Sequence, residues 1–344
     1  MRVLVTGGTG FVGVHAVAAL VEAGHEVRLL VRSAERVGPN LAPLDVPESA
    51  LDDVVSGDVT DAASVEAALA GCEAVVHAAS VYTLDPRRAE EIERTNVGGT
   101  RLVLGKAREM GLDPILHVSS YTALLPAREE RMTRDSRPGE GCGPYSRSKA
   151  DSERVARGWQ TRGAPVVSVM PGMIWGPHDP YHGETDRIVK DYLRGRLRLL
   201  VRDSIVPTVD VRDVARVVVA ALEPGLGPRR YLATGRSPPF EKVLAVVDEI
   251  TGRPIRTMSA PASLARMFAG AADMLQRVSP WRLPVAAETV RVVSSTALCD
   301  DHTTRKELGV KPRPLEDTVR DTLVSLVERG HLGQEAGALA PAGD

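Results

Sequence analysis

Residues 3–13, Val-Leu-Val-Thr-Gly-Gly-Thr-Gly-Phe-Val-Gly, leave few folds open to the rest of the chain. Arg2 to Thr6 is a short apolar run, the pattern of a buried strand. Glycines follow at once, and Val14 to Ala23 then place apolar residues at helical spacing up to Gly24, a helix stop. Strand, glycine turn and helix in this order build a phosphate site. The glycines let the backbone approach a pyrophosphate, and the helix N-terminus offers unpaired N–H groups and partial positive charge. Two spacings are satisfied together: Gly8, Gly10 and Gly13 give G-x-G-x-x-G, and Gly7, Gly10 and Gly13 give G-x-x-G-x-x-G. Glycine turns are common, but one set between a strand and a helix at the front of the chain points to a dinucleotide.

Strands then alternate with helices. The pattern predicts strands over 26–31, 53–56, 74–77, 115–119 and 166–170, with helices over 61–70, 90–110 and 145–160. Near-continuous apolar strands in such a rhythm predict an α/β fold with a doubly wound parallel sheet. After Pro171, Pro and Gly become frequent. Short strands at 208–211 and 230–233 alternate there with helices at 211–222 and 240–251. The expected organisation is a nucleotide-binding domain over 1–171, with 208–222 returning to it. A smaller mixed α/β lobe takes 172–207 and 223–330, and a Gly/Ala-rich disordered tail takes 331–344.

Composition narrows the function. The 344 residues are 43% hydrophobic and 26% charged, as in soluble globular proteins. A formal net charge of −2 gives no reason to expect nucleic acid or anionic membrane as a partner. Cys72, Cys142 and Cys299 are widely spaced and odd in number, which fits reduced thiols in a cytoplasmic protein. They form no metal motif, and His77, His117 and His178 share no ligand spacing, so no metal is expected. No leader is expected before the first strand. No apolar run approaches the ~18 residues of a membrane span.

Two further signals carry chemistry. Where the second strand ends, a carboxylate would bind the ribose of NAD, but this chain has Val31-Arg32-Ser33, with Arg36 a turn later. Guanidinium forks suit a 2′-phosphate, which favours NADP(H). Asp58, after the third strand, is placed either to accept from an adenine amino group or to cap the following helix. Tyr145 and Lys149 are four residues apart on one helix face. A phenol of pKa ~10 is a poor base at neutral pH, and a neighbouring ammonium brings its phenolate into range. In the reductive direction the same phenol donates a proton to a nascent alkoxide. Lys149 can also hold the nicotinamide ribose. Ser119 and Ser120, at the end of the fifth strand, can bond the substrate oxygen.

With these motifs in place the chain resembles the extended short-chain dehydrogenases/reductases of the NAD(P)-dependent epimerase/dehydratase superfamily. The matching segments are Thr6–Gly13, Gly57-Asp58-Val59-Thr60-Asp61, His77-Ala78-Ala79-Ser80, Asn96-Val97-x-Gly99-Thr100, Ser119-Ser120, Tyr145-x-x-x-Lys149, Pro171-Gly172-x-x-x-Gly176-Pro177 and 209–215. The resemblance implies a Rossmann domain and a catalytic triad of Ser120, Tyr145 and Lys149, with Ser120 preferred over Ser119 and Asn96 in support. It also implies that Gly7, Thr9, Gly10, Phe11, Val12, Gly13, Arg32, Arg36, Asp58, Val59, Ala78, Ala79, Lys149 and Pro171 hold the cofactor. Ser80, Tyr121, Met173 and Trp175 are then expected to line the substrate pocket. A homodimer through the helices 90–110 and 145–160 is typical of these relatives.

Within the superfamily, 4,6-dehydratases carry an Asp-Glu pair after the serine, whereas this chain has Ser120-Tyr121-Thr122-Ala123-Leu124. Nucleotide-sugar epimerases show an Asn-Pro-Tyr-Gly-Pro-like segment where this chain has Gly172-Met173-Ile174-Trp175-Gly176-Pro177. That greasier segment, Arg32 and the ending 308–318 look more like dihydroflavonol-4-reductase-type and 3β-hydroxysteroid dehydrogenase-like enzymes, whose substrates are apolar ketones or alcohols. An NAD-dependent epimerase using Arg187, Arg194, Arg196 and Arg198 on a diphosphate is the rival reading, and a non-catalytic NADP(H) sensor is the third. Leu264, Met267, Phe268, Ala271, Leu275 and Val278 predict an amphipathic helix over 261–278, packed on the smaller lobe, acting as a lid or pocket wall for an apolar substrate, or touching a membrane surface. Cys142, just before Tyr145, is expected near the pocket mouth without a chemical role.

Overall fold

The computed structural model describes residues 1–267, 270 and 287–340. The first half runs β1 (Arg2–Thr6), α1 (Phe11–Glu22), β2 (Glu26–Val31), α2 (Val37–Leu41), β3 (Asp53–Ser56), α3 (Ala62–Leu69), β4 (Ala74–His77), α4 (Ala89–Ile92), α5 (Gly99–Glu109), β5 (Ile115–Val118), β6 (Arg131–Met132), α6 (Pro144–Gln160) and β7 (Val166–Pro171). Next come β8 (Met173–Trp175), α7 (Glu184–Leu193), β9 (Leu199–Val201), β10 (Thr208–Asp210), α8 (Val211–Ala220), β11 (Arg229–Ala233), α9 (Phe240–Thr251) and β12 (Met258–Ala260). The C-terminal part adds α10 (Ala287–Val293), β13 (Leu298–Cys299), α11 (His302–Leu308) and α12 (Leu315–Glu328).

Seven parallel strands form the main sheet in the order β11-β7-β5-β4-β1-β2-β3. Side chains alternate along a strand, and both faces of this sheet are buried. Val3 and Val5 therefore join α1 and α8 in one core, while Leu4 joins α3, α5 and α6 in the other. From β1 the chain winds one way to β2 and β3, and from β4 the other way to β5 and β7. The order reverses between β1 and β4, so a crevice opens at their carboxyl ends. A separate core gathers Trp175, Tyr192, Phe240, Val247, Val319 and Leu323 into the smaller lobe.

Three expectations need correction. The strand expected in the smaller lobe, β11, lies beside β7 in the main sheet, with Tyr231 opposite Val169. The single helix over 90–110 is α4 and α5 joined by a π-helical stretch, Glu93–Gly98, which contains Asn96. The expected disordered tail is folded as far as 340: Leu332 and Ala336 are buried in the smaller lobe's core. Arg253 Nη1 donates to the Gln334 carbonyl at 2.8 Å, securing it further. Of the helix expected over 261–278, residues 262–267 are helical, with Leu264 and Met267 exposed. Phe268, Ala271, Leu275 and Val278 lie outside the described residues. Among the described residues no helix is long and apolar enough to cross a membrane.

Candidate active site and nucleotide cradle

The crevice between β1 and β4 is floored by the glycine turn. Gly7 sits at φ +73°, where a side chain is strained, and the Gly10 N–H donates to its carbonyl at 2.9 Å. A Cβ on Gly13 would strike the Gly7 carbonyl, and one on Gly7 would strike the Ala78–Ala79 backbone. A Cβ on Gly8 would crowd the end of the flexible Leu29 side chain and touch Val17 at ordinary contact distance. Of the two spacings, Gly7-Gly10-Gly13 is the one that packing demands. Gly10 is the N-cap of α1 and brings no side chain, so the N–H groups of Phe11, Val12 and Gly13 face the turn without intrahelical acceptors. A bare backbone cradle with amides aimed into it fits a pyrophosphate.

The flanks are built from the strand ends. The Ala78 N–H donates to the Thr6 carbonyl at 3.1 Å, and Pro171 ends β7 opposite Ala233. Asn40 Nδ2 donates to the Thr9 carbonyl at 3.0 Å, tying the segment after β2 to the turn. Arg32 and Arg36 are exposed just past β2. The Arg36 guanidinium stands 6.0 Å from the Tyr181 ring centroid, and Glu91 feels the charge of Arg32. Asp58 Oδ1 accepts from the Thr60 N–H at 2.8 Å in a local turn, while Asp61 caps α3. Val59 is buried against Gly99.

Tyr145 and Lys149 project from the first turns of α6, and β5 delivers the serines. Ser120 Oγ accepts from the Thr122 hydroxyl at 2.8 Å and the Thr122 N–H at 3.2 Å. Its hydroxyl lies near enough to the Tyr145 phenol to hold that phenol's pKa down. Ser119 is buried, its hydroxyl without a partner among the described residues. Lys149 Nζ lies 3.5 Å from the Val118 carbonyl and 6.0 Å from the Tyr145 ring centroid. Burial lowers its pKa from 10.5 to about 8. Burial raises the Tyr145 phenol above its usual value, the Glu288 carboxylate adds to this, and the Ser120 hydrogen bond opposes it.

Asn96 braces this arrangement. Its amide donates to the Val81 carbonyl at 3.1 Å and to Ser148 Oγ at 3.0 Å, and its Oδ1 accepts from the Val81 N–H at 2.7 Å. It locks the segment after β4 to α6. His77 spans Thr6 and Thr100 with bonds of 2.8 and 3.1 Å, and burial holds it neutral with a pKa of about 3.

Two neighbours of Tyr145 carry no sequence signal. The Tyr82 ring packs 4.6 Å from the Tyr145 ring, and Glu288 arrives from 142 residues beyond Ser146 in sequence. A cavity of about 370 Å³ beside them is lined by Leu84, Pro86, Cys142, Pro144, Arg147 and Glu288, among others. Cys142 thus sits at a pocket wall. Trp175, expected in the pocket, is fully buried in the core of the smaller lobe, so it packs that lobe. Tyr121 is buried with Leu124, Leu125 and Met132. Ser80 and Met173 are half-buried, and the Ser80 hydroxyl has no partner among the described residues. The four arginines considered for a diphosphate have partners in their own lobe: Glu184 for Arg187, Glu335 for Arg194, Asp191 for Arg196 and the Gly195 carbonyl for Arg198.

Comparison with known proteins agrees with this geometry. Residues 3–233 match the NAD dependent epimerase/dehydratase family. The chain is 31% identical to "Sterol demethylase protein B" of Methylococcus capsulatus, over 96% of its own length and 99% of that protein. It is 28% identical to a "Putative dihydroflavonol 4-reductase" of Synechocystis, over 95% of each. It is also 28% identical to "4-hydroxy-2-methyl-3-oxo-4-farnesyl-3,4-dihydroquinoline-1-oxide ketoreductase" of Stigmatella aurantiaca, over 98% of each. A UDP-glucose-4-epimerase solved from Stenotrophomonas maltophila with bound NAD has the same fold, with TM-score 0.75, 19% identity, and coverage of 96% of this chain and 99% of that one. The glycine cradle, the parallel sheet and the sequence match over two thirds of its length make this chain a member of the NAD dependent epimerase/dehydratase family, the extended short-chain dehydrogenases/reductases.

Proposed function

We propose that this chain is an NADP(H)-dependent ketoreductase, reducing the ketone of a small apolar substrate or oxidising the matching secondary alcohol. The observation that carries the reading is the convergence of the Tyr145 phenol, the Ser120 hydroxyl and the Lys149 ammonium at the carboxyl end of β5. Bound at the glycine cradle, the nicotinamide cofactor supplies or takes up the hydride. Tyr145 gives its proton to the carbonyl oxygen as that oxygen gains charge. Ser120, with both lone pairs occupied by Thr122, turns its hydrogen toward the same oxygen. Lys149 steadies the charge left on the phenol oxygen and reaches the ribose. Asn96 acts as a positioning residue through Ser148 and Val81. The reductase relatives, a dihydroflavonol 4-reductase and a quinoline-oxide ketoreductase by name, support a carbonyl substrate with an apolar body.

NADP(H) is favoured because β2 is followed by an arginine, Arg32, instead of a carboxylate. Hydrogen bonds to a charged group contribute about 1.5–3 kcal/mol, so replacing Arg32 and Arg36 by Ala should weaken NADPH binding by roughly 10- to 100-fold and leave NADH nearly unchanged. Titration of both cofactors by fluorescence checks this, and equal loss for NADH would remove the arginines from the 2′-phosphate. The activity itself is tested with NADPH consumption on a panel of apolar ketones beside UDP-hexoses. Turnover of a ketone is expected. Interconversion of UDP-hexoses on retained NAD, with every ketone inert, would replace this reading by the epimerase one.

A further inference from the structure

The helix that carries Tyr145 and Lys149 has no N-cap side chain of its own to receive its first-turn amides, because its N-cap is Gly143. The missing acceptor comes from α10. Glu288 Oε1 accepts from the Ser146 N–H at 2.7 Å and the Ser146 hydroxyl at 2.8 Å, and its Oε2 accepts from the Tyr145 N–H at 3.3 Å. Ser146 Oγ in turn accepts from the N–H groups of Cys142 at 2.7 Å and Gly143 at 3.0 Å. Any Cβ on Gly143 would strike the Glu288 carboxyl, so the bare glycine and the distant glutamate belong to one device. Three residues on, Arg291 donates to the Cys142 carbonyl at 3.4 Å from the same helix.

That helix is itself anchored to the catalytic side. The Ser295 carbonyl accepts from the Ala127 N–H at 3.0 Å, β13 pairs with β6, and Val292, Ala297 and Cys299 pack against the cluster containing Tyr121 and Met132. Glu288 is only 4% exposed, so its charge is poorly screened where it lies.

We propose that Glu288 is a positioning residue for the proton transfer: it caps the catalytic helix from a distant segment, holds Tyr145 in place, and sets a buried carboxylate beside it that opposes the phenolate form. This rests on the reading of Tyr145 as the proton donor. Glu288 faces Tyr145, Cys142 and Arg291, and Tyr145 faces Ser120, Lys149, Tyr82, Tyr121 and Glu288. Burial raises the Glu288 pKa while the amide donors of α6 and Arg291 lower it. Above that pKa the carboxylate is charged, and phenolate formation is opposed.

Two variants separate the parts. Glu288→Gln keeps an acceptor for the Ser146 N–H and removes the charge. Its Ser146 amide should retain wild-type protection from hydrogen exchange and only the Tyr145 amide should lose its longer, 3.3 Å acceptor, while the ascending pH limb of alcohol oxidation moves down by roughly one unit. Glu288→Ala should lose protection at both amides and drop kcat in both directions by roughly tenfold or more, with KM for NADPH unchanged. Wild-type protection in the Ala variant, or an unmoved pH limb in the Gln variant, overturns the proposal. Amide exchange needs no substrate, so intact capping in a protein that turns over no ketone would count against the reductase reading and leave the cap standing.

Discussion

Lys149 carries its ammonium where water scarcely reaches, and the cost can be read in its depressed pKa of about 8 against 10.5. Below pH 8 both the folded and the unfolded chain hold this proton, and the folded state bears the full burial cost. As pH rises from about 8 toward 10.5 the folded state sheds the proton first, and that cost fades. It is on the order of 3 kcal/mol. Lys149→Met should therefore raise the unfolding free energy of the ligand-free protein at pH 7 by up to that amount, with the gain gone near pH ~11. Urea melts at the two pH values measure it. A Met variant less stable than wild type at pH 7 would show that the ammonium is paired more strongly than its surroundings indicate. The same residues set the limit of sequence reading. A phenol and an amine four residues apart are legible because helical periodicity alone brings them to one face. The choice of Ser120 over Ser119 depends on which hydroxyl the fold turns toward Tyr145. Glu288 has no local signal, since only tertiary packing brings it to Ser146.

Among the elements, the glycine turn is the one whose sequence and shape correspond most closely, because its tightest contact, Gly13 on the Gly7 carbonyl, acts between residues six apart in sequence. Gly13→Ala drives a Cβ into the Gly7 carbonyl, a backbone atom with no freedom to yield. Overpacking of this kind costs about 1–3 kcal/mol, and NADPH affinity should fall at least tenfold with it. Gly8→Ala meets a leucine side chain that can rotate, and should lose less on both counts. Thermal melts and cofactor titrations of the pair check the order, and a Gly8 variant more damaged than the Gly13 variant would contradict it. Strands β1, β2 and β4 were legible for a related reason: strands buried on both faces carry near-continuous apolar runs, such as Val3–Val5 and Leu29–Val31. The π-helical stretch Glu93–Gly98 was not, since the shift of register there is held by Asn96 bonding Val81 and Ser148, contacts between distant segments.

At the scale of the whole molecule, composition misled where docking decides. The Gly/Ala-rich ending reads as solvated chain, yet small residues also fit narrow space: Ala336 is completely buried and Leu332 is 2% exposed in the smaller lobe's core. Ending the chain at Gly330 should cost about 2–4 kcal/mol and lower Tm by several degrees, with cofactor binding intact. An unchanged Tm would mean that the tail contributes nothing. The return of β11 to the main sheet escaped the sequence for a similar reason, since parallel pairing joins segments whose partners lie far apart. The account as a whole turns on Tyr145 as the proton donor to a reduced carbonyl. Transfer of deuterium from C4-deuterated NADPH to an apolar ketone, followed in wild type and in Tyr145→Phe, tests it most directly. The account predicts a labelled carbinol from wild type and a rate roughly 10²- to 10⁴-fold lower in the variant, at unchanged NADPH affinity. A Tyr145→Phe protein that labels the carbinol as fast as wild type would contradict it.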